Sequence, residues 1–514
     1  MNILLFRWAP IVAGFSVFIS AVFRVLFFYN SPDAELIGVI PDDAFYYIQM
    51  ARHRASEGIW TFDGITVTTG FHFLYGYILV FIYSVFGDVD WRHLFLIIGG
   101  LASIFMGVSA YFTARIAENF FGKSSILLVL SPFFTFTALM QSTAMMESWL
   151  VLFFSASSLY FSTQDKDFSI LSAIGLCSLG IFGSLSRSDF GLLAGVVFAA
   201  YLISFPWFKT KSLKRSAIVL VGAVVGVCII LLQNFYISGH FSQGSAQVKL
   251  YWSSLGGHSV LPIILLIGSM FLPFFSILNK SIQILLLLSF PALVVYSSYK
   301  FIKSKNRFSY TPSLILAFSC FFTIIGYVFF YRYNSRGINV WYSSNLIVPI
   351  GIVLAALGNF LFRKRLLIPA VLILSGYLYV GKTKFLSSRW PHQIGMLKAG
   401  LFLKEKKFAK VGAWNAGIIS YFSKASVVNI DGLANDGVFS FVKGNTLFDY
   451  LKSNKIDYLI DYEEMLKNEE YQKRGGYFDK RIDRCLRSVY SVDAGSPKWN
   501  GSELKLFKFI PNCK

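Results

Sequence analysis

A chain of 514 residues would ordinarily divide into several soluble domains, but 55% of its residues are hydrophobic and 14% are charged, against roughly 25% charged in a soluble domain. With 54 phenylalanines and a mean hydropathy of +0.58, this composition describes a protein that crosses a membrane many times. Much of the net charge of +20 lies in short loops between apolar runs, where Lys and Arg mark the cytoplasmic face, so nucleic acid is a poor partner for it.

The first apolar segment, residues 8–28, has no small-residue cleavage site and reads as a retained first helix. Further segments lie near 71–87, 93–115, 124–141, 145–163, 168–185, 190–208, 216–233, 260–278, 282–299, 310–331, 341–362 and 366–381. Several approach the lower limit of about 17 residues for a roughly 30 Å hydrocarbon layer, which makes thirteen crossings a ceiling. Arg7, the run Arg363-Lys364-Arg365 and the loop with Lys300, Lys303, Lys305 and Arg307 all argue for the cytoplasm. Thirteen crossings satisfy these but leave Lys209, Lys211, Lys214 and Arg215 outside. Eleven satisfy that loop too, if one segment between 71 and 141 and one between 260 and 299 fail to cross. Either count puts the N-terminus in the cytoplasm, with loop 29–70 and residues 382–514 outside.

Loop 29–70 carries Ile40-Pro41-Asp42-Asp43-Ala44-Phe45-Tyr46-Tyr47, two adjacent acids at the start of an expected helix. An aspartate within hydrogen-bond reach takes the proton of an attacking hydroxyl. Paired acids also hold a divalent cation such as Mg or Mn, and either acid could instead cap free helix amides at about 1 kcal/mol. Helical residues 44–54 would put Tyr47, Met50 and Arg54 on one face, a composition suited to the headgroup layer, with Arg52 and Arg54 able to grip phosphate.

Farther along, Glu147 opens a segment with no other charge, and Arg187 and Asp189 sit between two apolar runs. Charges at membrane depth face a polar cavity or a partner. The eleven-crossing count brings all three to the face that carries Asp42. Lys249 and Arg336 are further candidates for a phosphate, and Trp341 and Tyr342 for stacking on a sugar or isoprenoid or for an aromatic belt. No Walker loop, zinc-helix motif, serine elbow or dinucleotide fingerprint occurs. Cys177, Cys228 and Cys320 fall in apolar runs as packing residues, while Cys485 and Cys513 could pair if the tail is extracytoplasmic. From Lys382 onward, strand-like runs at 410–413, 426–430 and 458–460 alternate with helix-like stretches such as 447–453, the pattern of a small α/β domain.

Pro41-Asp42-Asp43-Ala44-Phe45-Tyr46-Tyr47, Ala51-Arg52, Phe62-Asp63-Gly64, Thr69-Gly70-Phe71-His72 and Met146-Glu147-Ser148 resemble, in this order, motifs of bacterial GT-C glycosyltransferases of the mannosyl- and arabinosyltransferase type. The tail runs Gly412-Ala413-Trp414-Asn415-Ala416-Gly417 and Val428-Asn429-Ile430-Asp431-Gly432-Leu433 are similar too. The resemblance implies an all-α polytopic membrane domain of about 11–13 transmembrane helices (1–381) and an extracytoplasmic α/β domain (382–514). It implies an inverting enzyme of the bacterial inner membrane that moves a sugar from a polyprenyl-phosphate donor to a lipid or cell-envelope glycan acceptor on the outer face. Asp42 maps to the base or site-organising acid, with Asp43 and Glu147 assisting it or sharing a cation. Tyr46, Arg52, His72, Arg187, Asp189, Lys249, Arg336, Trp341 and Tyr342 are the expected substrate contacts. Phe73, Tyr75, Met145 and Ser188 depart from the pattern, standing where Pro, Trp, Gly and Pro are expected. The other readings are a lipid-linked sugar transporter or flippase that uses the same polar cavity without chemistry, and a non-catalytic membrane scaffold whose outer domain binds a partner.

Overall fold

The computed structural model describes residues 8–164, 168–204, 211–256, 260–271, 307–334, 339–362, 385–406, 408, 410–493, 495–511 and 513. Segments 282–299 and 366–381, the clusters 300–305 and 363–365, and Arg336 lie outside them. In chain order the helices are α1 (Ala9–Tyr29), α2 (Asp42–Glu57), α3 (Phe73–Phe86), α4 (Trp91–Phe121), α5 (Ser148–Ser162), α6 (Ile170–Ser186), α7 (Phe190–Ser204), α8 (Lys211–Ser238), α9 (Gly244–Ser254), α10 (Leu261–Phe271), α11 (Arg307–Asn334) and α12 (Ser344–Phe362). Among the described residues α1, α4, α8, α11 and α12 are long and apolar enough to cross a membrane. Lys123–Phe134 and Phe136–Ser142 form a sixth candidate, bent by 65°. Large apolar side chains stay exposed along these helices, such as Phe15, Ile19 and Phe23 on α1. Lipid covers such a surface, and a helix satisfies its own backbone there.

The apolar segment at 71–87 forms α3, which is shorter than the candidate membrane spans. Arg92, at the start of α4, donates to the carbonyls of Tyr29 (2.7 Å) and Ser31 (2.8 Å) and to Asp33 (2.8 Å), so α4 begins where α1 ends. Both ends of α3 attach to this same side. His72 before it lies 3.4 Å from Glu147, and Asp88 after it bonds Arg52 of α2 at 2.9 Å. Its 14 residues span about 21 Å, short of the roughly 30 Å of hydrocarbon. The eleven-crossing reading needs one non-crossing segment between 71 and 141, and a short helix with both ends attached on one side has the form of such a segment.

The C-terminal domain contains α13 (Gln393–Lys406) and a mixed sheet of β1 (Lys410–Ala413), β2 (Ser426–Asn429), β3 (Tyr458–Tyr462), β4 (Leu486–Ser491) and β5 (Leu504–Phe509), ordered β2-β1-β3-β5-β4. β2, β1 and β3 run parallel, and β5 and β4 add on antiparallel. Helix α14 (Gly417–Ser423) is the crossover from β1 to β2. The three expected strands and the helix Leu447–Ser453 are present. β4 and β5 were not anticipated: β4 is largely exposed, and Arg487, Lys505 and Lys508 interrupt the apolar signal. Cys485 and Cys513 form a disulfide with Cα atoms 5.4 Å apart, tying the start of β4 to the chain beyond β5.

Single cysteines replacing Ser56 and Asp88 are expected to react with a membrane-impermeant maleimide from the same face. Labelling from opposite faces would make α3 a crossing.

Candidate active site

Helix α2 starts after Pro41, whose extended backbone (ψ 149°) halts the preceding turn, and ends at Gly58 in the left-handed region (φ 78°). Asp42 and Asp43 in its first turn complement the helix dipole. The expectation of a helix lying in the headgroup layer is corrected here. Residues 44–51 are all buried, because α2 is held between α3 and the C-terminal domain.

The two tail motifs form that second contact. They lie at the carboxyl ends of parallel strands β1 and β2, where open α/β sheets bind their ligands, and here they bind α2. Asp42 accepts from the amides of Ile418 (2.7 Å) and Gly417 (3.2 Å). A Cβ on Gly417 would collide with the Asp42 backbone oxygen, so only glycine permits this approach. The Tyr46 hydroxyl donates to the Trp414 carbonyl (3.1 Å) and accepts from the Ala416 amide (3.0 Å). Asn429 reaches both Tyr46 and the Trp414 carbonyl, joining the two motifs. The Thr69-Gly70-Phe71-His72 run acts similarly. Asp436 accepts from the hydroxyls of Thr68 and Thr69 (2.9 Å each), and Thr69 accepts from Gly244 at the start of α9 (2.8 Å). Gly70 leaves room for the Leu433 carbonyl.

These contacts enclose a cavity of about 170 Å³. From loop 29–70 and its continuation come Asp43, Tyr46 and His72; from the membrane helices and their ends come Glu147, Arg187 and Asp189; Lys249, Trp341 and Tyr342 complete the set. Arg187 organises it. Its guanidinium donates to Glu147 (2.9 Å), to both oxygens of Asp189 (3.1 and 2.7 Å) and to the Tyr331 hydroxyl (3.0 Å), and lies 4.6 Å over the Tyr342 ring. Tyr331 donates to Asp189 (2.5 Å), and Lys249 donates to the Tyr342 hydroxyl (2.5 Å). Met145, standing where glycine was expected, adopts φ 49°. The turn presenting Glu147 does need the left-handed region, and Met145 bears a strain that glycine would avoid.

Several sequence expectations are corrected. Asp42 does not line the cavity; its carboxylate serves the C-terminal domain. Arg52 does not line it either, being paired with Asp88 in a separate cleft. Arg187 is engaged by two carboxylates and is not a free phosphate cation. Asp42 is turned away from Asp43 and Glu147, so the three acids do not converge on one point, and no group of three His, Cys, Asp or Glu among the described residues is placed to hold a metal ion. Tyr327 and Tyr331, which bond the Asp189 carbonyl and carboxylate, went unnoticed. Their i, i+4 spacing on one apolar helix was the available signal.

Asp43 is half-buried and makes no hydrogen bond to the protein among the described residues. Burial pushes its carboxyl up; Lys249 draws it back and Glu147 pushes it further. Burial likewise raises Asp42 to about 7, against the pull of the Ile418 amide. With the folded value above the unfolded one of about 4, the folded state holds this proton between about pH 4 and 7. The contribution is greatest below about pH 4 and lost as pH rises to 7.

Amides 414–420 should therefore show stronger intrinsic-rate-corrected exchange protection at pH 5 than at pH 8. Asp42→Asn should remove part of the difference, the rest coming from other carboxyls that burial raises, among them Asp461, to about 7, and Asp431. Equal wild-type protection at both pH values would refute this. Arg187→Met leaves Glu147 and Asp189 buried without their cation, a change costing about 3–5 kcal/mol, and thermal unfolding in detergent should fall accordingly. An unchanged midpoint would show that the network bears no load.

Residues 387–499 match a family model described as Domain of unknown function (DUF8728). No curated protein matches the chain by sequence. Among solved structures, ArnT from Cupriavidus metallidurans bound to undecaprenyl phosphate is similar over 97% of this chain and 97% of its own, with 13% identity and a TM-score of 0.56. The Archaeoglobus fulgidus oligosaccharyltransferase in its apo form is similar over 90% of this chain and 71% of its own, with 12% identity and a TM-score of 0.55. Archaeal AglB from the same organism, in complex with an inhibitory peptide and a dolichol-phosphate, is similar over 90% and 70%, with 12% identity and a TM-score of 0.55. Identities this low speak to fold alone, and the fold is that of GT-C membrane glycosyltransferases.

Proposed function

We propose that this protein is an inverting GT-C glycosyltransferase that moves a sugar from a polyprenyl-phosphate donor to a hydroxyl of a lipid or cell-envelope glycan. The observation that carries this reading is Asp43. It is a half-buried acid without a protein hydrogen bond among the described residues, in a cavity shared with Lys249 and with Glu147, which Arg187 and His72 hold. Undecaprenyl phosphate in ArnT and dolichol-phosphate in AglB support the donor class. Eleven crossings, with the N-terminus in the cytoplasm and the C-terminal domain outside a bacterial inner membrane, accord with the positions of the basic loops.

In this mechanism the Asp43 carboxylate takes the proton of the acceptor hydroxyl as its oxygen attacks the anomeric carbon. The bond from that carbon to the phosphate oxygen breaks, its electron pair leaves with the polyprenyl phosphate, and the configuration inverts. Lys249 faces the charge developing on the phosphate. Glu147 keeps its place through Arg187 and His72, while Trp341 and Tyr342 offer ring faces to sugar or isoprenoid.

With a radiolabelled polyprenyl-phosphate sugar and extracted acceptor lipids, the purified protein should yield labelled product. Asp43→Asn should lower the rate by about 10²–10⁴-fold without unfolding the protein, while Asp42→Asn retains most transfer. The reverse ranking would return the base to Asp42. No product with any donor, together with bound lipid-linked sugar, would favour a flippase.

A further inference from the structure

The two edges of the C-terminal sheet are unlike. β2, which packs against α14 and through it against α2, is mostly buried. β4, the opposite edge, exposes Arg487, Ser488, Val489 and Tyr490 in succession. On the β2 side, Phe422 of α14 meets Trp91 at the start of α4 edge to face at 5.5 Å, so that flank adjoins the membrane helices. Four strand spacings, about 19 Å, separate β4 from it.

Arg487 lies directly across from Lys508 of β5, and Lys508 across from Tyr458 of β3, a row on one face of the sheet. Opposed residues hold their Cβ atoms about 5 Å apart, so two like charges there destabilise the pair. Both side chains are exposed, and neither forms an ion pair with a carboxylate among the described residues. The Arg487 guanidinium donates instead to the carbonyls of Arg484 (2.8 Å) and Leu486 (3.2 Å). Charge on an edge strand blunts aggregation, but Lys508 stands one strand inside the edge, where that purpose does not reach. An anion seated between the two cations turns their repulsion into attraction.

Aromatic rings adjoin the row. Phe408 meets Tyr458 at 4.7 Å and Phe402 at 5.9 Å, and Phe402 stacks on Tyr490 at 4.8 Å. Tyr490 keeps 48% of its surface exposed, and Phe402, Phe408 and Tyr458 are half-buried, so all four rings present surface to a ligand. Such rings cover the apolar face of a sugar.

An acidic peptide fits less well. It would add to β4 as a further strand, and the register shift between Ser488 and Tyr490 breaks the ladder that such addition extends. We infer that this edge binds an anionic glycan of the cell envelope, with a carboxylate or phosphate between Arg487 and Lys508 and sugar rings along Tyr490 and Phe402. The outward placement of the domain rests on the reading proposed above; the binding does not depend on catalysis.

The full-length protein in phosphatidylcholine nanodiscs is to be titrated with polygalacturonate, phosphomannan, dextran and polyglutamate at about 0.15 M salt, where distant charges are screened. At least one of the two anionic glycans should bind about tenfold more tightly than dextran or polyglutamate. Arg487→Gln combined with Lys508→Gln should raise its Kd about tenfold, and Tyr490→Ser about threefold. Because the double variant also removes the opposed charges, its thermal midpoint should hold or rise. Asp43→Asn, which stops transfer under the reading above, should leave the Kd unchanged. Equal affinity for polyglutamate or dextran, a Kd indifferent to the edge variants, or loss of binding in Asp43→Asn overturns the inference. A lowered midpoint in both edge variants makes the row a structural one and overturns it as well. Binding without transfer counts against the enzyme alone; transfer by a protein that binds neither anionic glycan counts against the edge alone.

Discussion

The Asp42 carboxylate on the amides of Gly417 and Ile418 is the contact from which the rest of the site takes its position. Successive residues of an α-helix point about 100° apart, so adjacent acids cannot serve the same space. Turning Asp42 into the C-terminal domain directs Asp43 toward the cavity. The Tyr46 clasp, one turn later, fixes the rotation of α2 about its axis. A buried carboxylate on backbone amides in a water-poor interface is sensitive to misplacement, which suits a contact that orients a helix.

The second constraint is the Arg187 cluster. One guanidinium shared by two carboxylates and a tyrosine offsets part of a charge that could not sit singly beside a membrane. Glu147 is thereby held in place and is fully buried. The left-handed turn at Met145 belongs to the same arrangement, since it brings the start of α5 beneath His72 and Tyr75. α9 closes the circle. It begins on Thr69 and Phe71 and ends on the carbonyls of Lys473 and Arg474, so the C-terminal domain also sets the placement of Lys249.

Much of this was legible before any coordinates. Long apolar runs specify membrane helices because backbone groups in lipid must pair within their own segment. Residues 410–413, 426–430 and 458–460 announced strands through compact apolar runs bounded by polar turns. The strands that escaped notice, β4 and β5, join the sheet through partners distant in the chain and carry charge on their exposed faces. α3 misled for the opposite reason. Its composition is that of a spanning helix, but it has 14 residues and both its ends are anchored to neighbouring parts of the site.

By itself the sequence determined the class of molecule: an apolar polytopic chain with a small α/β domain at its end, and acids and cations at segment boundaries where charge has no inexpensive place. These follow from local composition and spacing. The tertiary structure decided which of those charged groups meet. It placed Asp43 rather than Asp42 in the cavity, gave Arg187 to Glu147 and Asp189, and moved Arg52 to a different cleft. Those outcomes depend on the rotation of α2 and on contacts between residues more than three hundred positions apart, such as Asp42 and Ile418. A linear pattern carries the chemistry of each side chain but not the direction in which a distant domain turns it.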